Sequence, residues 1–216
     1  MNTEAVIFDL DGTLLNTIDD LADSMNQVLH ENSLPEHDRD KYFYFVGNGA
    51  RKLVERALPE GWGDEKSVEK FLNRYREVYG ERWNRKTRLY SGIEDLLLKL
   101  RELQIPLAIL SNKPHKDVLK VVAHYFDNTL FSVIAGQKEH LPHKPSPDGV
   151  FLILKELNVL RENCLFVGDS SVDMQTAVNG GLKAVGVSWG FRSVKELREY
   201  GADFIIDDPL ELLFLL

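Results

Sequence analysis

The feature that most restricts how this chain can fold is an alternation of short, wholly apolar runs with amphipathic segments, interrupted once. Ala5-Val6-Ile7-Phe8 is apolar at every position, the mark of a strand buried on both faces. A long stretch without a comparable run follows. From Ser91 onward the alternation is steady. A helical segment carrying Leu96, Leu97, Leu100 and Leu103 precedes Pro106-Leu107-Ala108-Ile109-Leu110, and further strand runs fall at Ser132 to Ala135, Cys164 to Val167, Ala184 to Val187 and Phe204 to Ile206. Helical spacing fills the gaps at Lys116 to Phe126, Asp148 to Leu157, Val172 to Val178 and Val194 to Tyr200. Strands buried on both faces and joined by helices predict an α/β fold with a parallel sheet covered on each side.

The interruption has a different period. Ile18, Leu21, Ala22, Met25, Val28 and Leu29 repeat at helical spacing, as do Val68, Phe71, Leu72, Tyr75, Val78 and Tyr79, with Leu53, Val54, Ala57 and Leu58 between them after Gly47-Asn48-Gly49. Residues 16–85 therefore read as a small all-helical unit inserted after the first strand of a core formed by 1–15 and 86–216. Thr17 and Asp20 read as a capping pair for its first helix. The aromatic run Tyr42-Phe43-Tyr44-Phe45 reads as packing inside the insertion.

Charge narrows the function. Lys and Arg number 26 against 34 Asp and Glu, a net charge of −8 that repels a nucleic-acid backbone. No apolar stretch approaches the roughly 18 residues of a membrane span, and Met1 is followed by Asn2-Thr3-Glu4 rather than a basic leader. A cytoplasmic protein is expected, with no membrane or nucleic-acid partner. Cys164 is the only cysteine and lies in an apolar run, so it reads as core filler rather than half of a disulfide.

In a parallel sheet, ligands bind beyond the carboxyl ends of the strands, and four segments sit there. They are Asp9-Leu10-Asp11-Gly12-Thr13-Leu14, Ser111-Asn112-Lys113, Lys144 in His143-Lys144-Pro145, and Gly168-Asp169-Ser170-Ser171-Val172-Asp173. Asp9 and Asp11, one residue apart at an extended strand end, are expected to point the same way. With Asp169 and Asp173 they form an acidic cluster whose members repel one another unless a cation intervenes, and a hard divalent ion, most plausibly Mg²⁺, suits oxygen ligands. Lys144, Ser111 and the backbone N–H groups beside Asn112 have the chemistry to hold phosphate oxygens. His140 and His143 lack the spacing of a zinc site and read as loop residues.

The string Asp-x-Asp-Gly-Thr-Leu is expected by chance in on the order of one in five thousand chains of this length. With the other three segments in order, the sequence resembles the haloacid dehalogenase-like phosphohydrolases over essentially its whole length. The resemblance implies a Rossmann-like core with Asp9 as nucleophile and Asp11 as general acid and base. It implies Ser111 and Asn112 as phosphate binders, Lys144 as charge clamp, and Mg²⁺ on the Asp9 carboxylate, the main-chain carbonyl of Asp11 and Asp169. Asp173 is then a further ligand or a partner of one, and the helical insertion is a mobile cap expected to close over substrate. Dehalogenating relatives lack an aspartate at the second position and need no Mg²⁺, so the acidic set implies phosphoryl transfer.

Val46-Gly47-Asn48-Gly49-Ala50 with Leu53-Val54, Ser111-Asn112-Lys113-Pro114 and Trp189-Gly190-Phe191-Arg192 resemble phosphoglycolate phosphatases. That implies a small phosphorylated metabolite as partner, with Arg51 or Lys113 reading its carboxylate. A phosphosugar mutase, a phosphatase of sugar phosphates, nucleotides or pyrophosphate, and a non-enzymatic receiver-type switch stay open, as does monomer against homodimer. Trp189-Gly190-Phe191-Arg192 is placed either at the border of the site or in a structural role.

Overall fold

The computed structural model describes residues 3–216; Met1 and Asn2, where the leader was sought, lie outside the described residues. Its strands are β1 (Ala5–Phe8), β2 (Leu15–Asn16), β3 (Arg88–Leu89), β4 (Leu107–Pro114), β5 (Val133–Gln137), β6 (Cys164–Gly168), β7 (Lys183–Val187) and β8 (Phe204–Ile206). Its helices are α1 (Ile18–Glu31), α2 (Arg39–Phe45), α3 (Ala50–Ala57), α4 (Glu65–Arg82), α5 (Ile93–Glu102), α6 (His115–Tyr125), α7 (Asp148–Leu157), α8 (Ser171–Gly180) and α9 (Val194–Glu199). The chain adopts the α/β class that its alternation predicts. Among the described residues, no helix is long and apolar enough to cross a membrane.

Six strands form one sheet in the order β5-β4-β1-β6-β7-β8, and every pair in it runs parallel. The first strand of the sequence lies in its interior, between β4 and β6, which is why Ala5-Val6-Ile7-Phe8 can afford no polar position. Val150 and Ile153 of α7, Met174 and Ala177 of α8 and Leu197 of α9 cover Ile7, Ala108, Phe166 and Ala184 in one apolar layer. The Val, Ile, Leu, Met and Phe side chains among them each contribute about 1.5–3 kcal/mol on burial. Cys164 belongs to this layer, and burial pushes its thiol up to about 12.

The register Val6 to Leu107, with Phe8 beside Ile109 and Val167, brings the ends of β1, β4 and β6 out at one edge. One departure matters there. The apolar run stops at Leu110, yet β4 continues to Pro114, because Gln137 of β5 pairs again at Pro114 after a register shift. Ser111, Asn112 and Lys113 therefore sit on an irregular strand rather than a loop, and all three are buried.

The chain divides into two compact units, one of residues up to Leu15 with Leu89–Leu216 and one of Asn16–Arg88. The short β2 and β3, which no periodicity announces, pair as a two-stranded ribbon where the chain passes from one unit to the other. In the helical unit, α1 packs on α4, and Met25, Val28, Leu29, Tyr42, Leu53, Phe71, Leu72 and Tyr75 form its core. Tyr42 is fully buried and donates its hydroxyl to Asn26 Oδ1 at 2.6 Å, whereas Tyr44 is exposed, so the aromatic run is divided between core and surface.

The expected capping pair of α1 is not formed. Thr17 occupies the N-cap without a side-chain cap bond. Asp20 instead accepts from Lys86 N at 3.0 Å on both oxygens and from Thr87 N and Thr87 Oγ1 at 2.8 Å. A carboxylate with a complete set of donors from a distant segment gains more than it would by folding back on its own helix.

Candidate active site

Four carboxylates and two lysines gather within the α/β unit, at the ends of β1, β4 and β6. Asp9 directly follows β1 and Asp169 directly follows β6, while Asp173 is in the first turn of α8. Asp9, Asp169 and Asp173 are all buried, and one carboxylate oxygen from each lies within 4.8 Å of the others. Such an arrangement is unfavourable without compensation.

Part of the compensation is Lys144, whose side chain is 3% exposed. Its Nζ lies 2.8 Å from Asp9 Oδ1 and 2.6 Å from Asp173 Oδ1. Burial works against the ammonium, but Asp173 and Asp9 more than offset it and hold its pKa above the ordinary lysine range. The backbone of Lys144 is fixed as well. Asn112 Nδ2 donates to Lys144 O at 3.1 Å, and Lys144 N donates to Asn112 Oδ1 at 2.8 Å. The Asn112 side chain, expected at a phosphate, is thus engaged at both amide ends in holding Lys144.

Asp173 is equally occupied. Its Oδ1 accepts from Lys144, and its Oδ2 accepts from Ser170 N at 3.1 Å and Ser170 Oγ at 2.6 Å. Ser170 and Asp173 form a reciprocal capping box that starts α8 and aims the carboxylate at Lys144. Asp169 is gripped differently. Phe191 N donates to its Oδ2 at 2.7 Å and Thr13 Oγ1 to its Oδ1 at 3.3 Å. Gly12, at φ +96°, and Gly190 flank it; a Cβ on either would fall within 2.3 Å of an Asp169 atom, so only glycine fits.

Asp9 has an open side. Lys144 takes Oδ1, while Oδ2 has no hydrogen-bond or ion-pair partner among the described residues. Burial, opposed by Lys144 and reinforced by Asp173 and Asp11, raises the Asp9 carboxyl to about 7. Burial likewise pushes Asp169 well above the usual carboxylate range, with Asp173 and Asp9 adding to the effect.

Asp11 departs from the expectation that it would point with Asp9. The chain leaves the strand after Phe8 and turns, with Leu14 N donating to Leu10 O and Gly12 N to Leu15 O, so the two-residue alternation of a strand ends there. The Asp11 carboxylate is not a member of the three-aspartate cluster. It is bound on both oxygens by Lys113 Nζ, at 2.9 and 3.0 Å. Ser111 is buried, its Oγ accepting from Lys113 N at 3.2 Å. Arg51 lies in the helical unit, bound to Glu65 at 3.2 Å and to Glu69 at 2.5 Å.

Some of this set escaped the sequence reading. Thr13 and Ser170 stand inside quoted strings but carried no assigned role, and Phe191 acts through its backbone alone. A signal existed for the last: Trp189 to Arg192 follow β7, so the rule about strand ends applies to a fifth segment. Trp189 Nε1 donates to Thr13 O at 3.0 Å, which ties that segment to the Asp9–Leu14 turn at the border of the site.

The charges do not balance. Four carboxylates face the ammonium groups of Lys113 and Lys144, and Arg192 nearby is paired with Glu196 at 3.4 Å. Two negative charges remain in a buried, all-oxygen donor set, which suits one hard divalent cation.

Residues 6–187 match the haloacid dehalogenase-like hydrolase family. The phosphoglycolate phosphatase of Haemophilus influenzae is 33% identical over 100% of both chains, and that of Colwellia psychrerythraea is 30% identical over 99% of this chain and 96% of its own. A solved structure of a predicted phosphoglycolate phosphatase from Haemophilus somnus superposes with a TM-score of 0.92 at 29% identity, covering 100% of this chain and 98% of that one. A shared fold, full-length similarity and a surplus-acid cluster at the strand ends agree: the chain belongs to the haloacid dehalogenase-like hydrolases, and its relatives there include phosphatases.

Proposed function

We propose that the enzyme hydrolyses small phosphomonoesters through a covalent phosphoryl group on Asp9, with 2-phosphoglycolate as the leading substrate. The observation that carries this reading is Asp9 itself. One oxygen is fixed by Lys144 and the other is open, within a buried cluster that holds two surplus negative charges. An anchored, partly desolvated carboxylate with one unpartnered oxygen is suited to nucleophilic attack.

In the first step Asp9 Oδ2 attacks phosphorus, the ester P–O bond breaks, and the departing alkoxide takes a proton from Asp11. In the second, a water attacks the phosphorylated Asp9 and gives its proton to Asp11, the P–O bond to Asp9 breaks, and phosphate leaves. General acid–base help of this kind is worth roughly 10²–10⁴-fold. Lys144 offsets charge on the phosphoryl oxygens, and Ser111 Oγ and main-chain N–H groups at Asn112 donate to them.

Mg²⁺ fits the donor set, which offers only carboxylate and carbonyl oxygens and an excess of negative charge. Asp9, the main-chain carbonyl of Asp11 and Asp169 would hold it. Bound there, it supplies electrostatic stabilisation of the developing charge on phosphorus. Asp173, with Lys144 on one oxygen and Ser170 on the other, acts by positioning Lys144. Relatives named phosphoglycolate phosphatases support the substrate class. Lys113 is the better reader of a substrate carboxylate than Arg51, since Arg51 already has two glutamates of its own unit.

Phosphate release from 2-phosphoglycolate, sugar phosphates, nucleotides and an aryl phosphate tests this, with Mg²⁺ and with chelator. Turnover that needs Mg²⁺ and falls to background in Asp9→Asn is expected. Isomerised product without free phosphate would identify a mutase instead.

A further inference from the structure

On the hydrolase reading proposed above, the contact between Lys113 and Asp11 poses a difficulty. Asp11 must reach the ester oxygen of the substrate, yet both of its oxygens accept from one ammonium, at 2.9 and 3.0 Å. Held in this way, the carboxylate is turned to Lys113, and it can pass a proton to a substrate only once that contact loosens. The Lys113 side chain is 7% exposed and that of Asp11 14%, so little water is available to replace either partner. Breaking such a pair leaves two charged groups desolvated and uncompensated, which is far costlier than separating a surface pair.

The geometry points to an interlock in which the substrate's own second anionic group takes Lys113 from Asp11, and so releases Asp11 for catalysis. Exchange of one carboxylate for another conserves charge and charge-assisted hydrogen bonds, so it carries little of the cost of simple separation. A phosphoester without a second anionic group offers no replacement and leaves Asp11 engaged. Lys113 is thereby a specificity-determining residue that selects in the turnover step rather than only in binding.

The distances also limit the substrate. Lys113 Nζ sits within 3.0 Å of both oxygens of the group that must reach the ester oxygen. The second anion must therefore lie on the leaving alcohol, one or two carbons from that ester oxygen. Small phosphorylated 2-hydroxy acids meet this condition. Phosphoesters with a distant charge, or with none, do not.

The test compares 2-phosphoglycolate with ethyl phosphate, of similar size and without the carboxylate, in Mg²⁺. Wild type is expected to favour 2-phosphoglycolate by roughly 100-fold, with much of the difference in kcat, because turnover of ethyl phosphate must part Lys113 from Asp11 with nothing to replace either partner. In Lys113→Met and Lys113→Gln the two substrates should move in opposite directions, kcat falling for 2-phosphoglycolate and rising for ethyl phosphate. Thermal melting identifies any variant that has not folded, and the wild-type split between kcat and KM tests the interlock without a variant. Parallel losses on both esters, or wild-type discrimination confined to KM, would overturn the interlock while leaving the phosphatase reading intact. A wild-type enzyme that releases phosphate from neither ester overturns the reading beneath it as well.

Discussion

Both units of the molecule bury carboxylates, and they treat them in opposite ways. In the helical unit Asp20 is fully buried, and its two oxygens accept from Lys86 N, Thr87 N and Thr87 Oγ1. In the α/β unit Asp9, Asp169 and Asp173 are buried together, a single lysine pairs with Asp9 and Asp173, and one oxygen of Asp9 has no partner among the described residues. A buried acid whose acceptors are all met is a structural tie. A cluster with more negative than positive charge is unfinished without a ligand, and that conflict marks a site more sharply than burial or acidity alone.

The largest test of this contrast is Lys144→Met. Removal of the ammonium leaves Asp9 and Asp173 facing each other, and a loss of about 3–5 kcal/mol in denaturant unfolding of the metal-free protein is expected. Phosphate release should fall by roughly 10²–10³-fold in the same variant, since the clamp on the transferring group is gone. A stable Lys144→Met enzyme with near-normal turnover would erase the distinction between the two units.

Next in size is Asp20→Ala. It strands two backbone N–H groups and a hydroxyl in a dry environment, and a loss of about 3 kcal/mol in unfolding free energy is expected. Addition of Mg²⁺ should restore none of it, because the tie is complete without a ligand.

The α/β cluster should also respond to pH. The Asp9 carboxyl stands at about 7 in the folded protein, and Asp169 is shifted in the same direction. An unfolded chain releases these protons near pH 4. Between the two values the folded state binds more protons than the unfolded state, so stability is greatest at the acid end and is lost as pH rises toward 7. In chelator a decline of about 2 kcal/mol across this window is expected, a fall in Tm of about 5 °C. Saturating Mg²⁺ should flatten the curve. A chelated protein whose Tm rises from pH 5 to pH 7 would contradict the charge conflict.

The smallest effect belongs to Arg51→Ala. Its ion pairs with Glu65 and Glu69 are partly exposed, and stability should change by less than about 0.5 kcal/mol.

Much of the frame was legible in the sequence because interior strands tolerate no polar residue. Ala5 to Phe8 and Cys164 to Val167 announce themselves through composition alone, and the rule about strand ends then points to Asp9 and Asp169. What stayed hidden depends on register. That Asn112 clamps the Lys144 backbone, and that Lys113 rather than a ligand meets Asp11, follow from the irregular continuation of β4, which no periodicity encodes. Asp20 misled for a related reason. The local capping pattern was present, but Lys86 and Thr87, distant in sequence, made a better offer of donors.

The central claim, that Asp9 is the nucleophile of a buried, cation-dependent site, is tested most directly by acid quenching during turnover of 2-phosphoglycolate in Mg²⁺, followed by peptide mass analysis. The account predicts one added phosphoryl group on the peptide that carries Asp9, absent with chelator and absent in Asp9→Asn. Steady turnover with that peptide unmodified at every quench time, or turnover retained in Asp9→Asn, would contradict it.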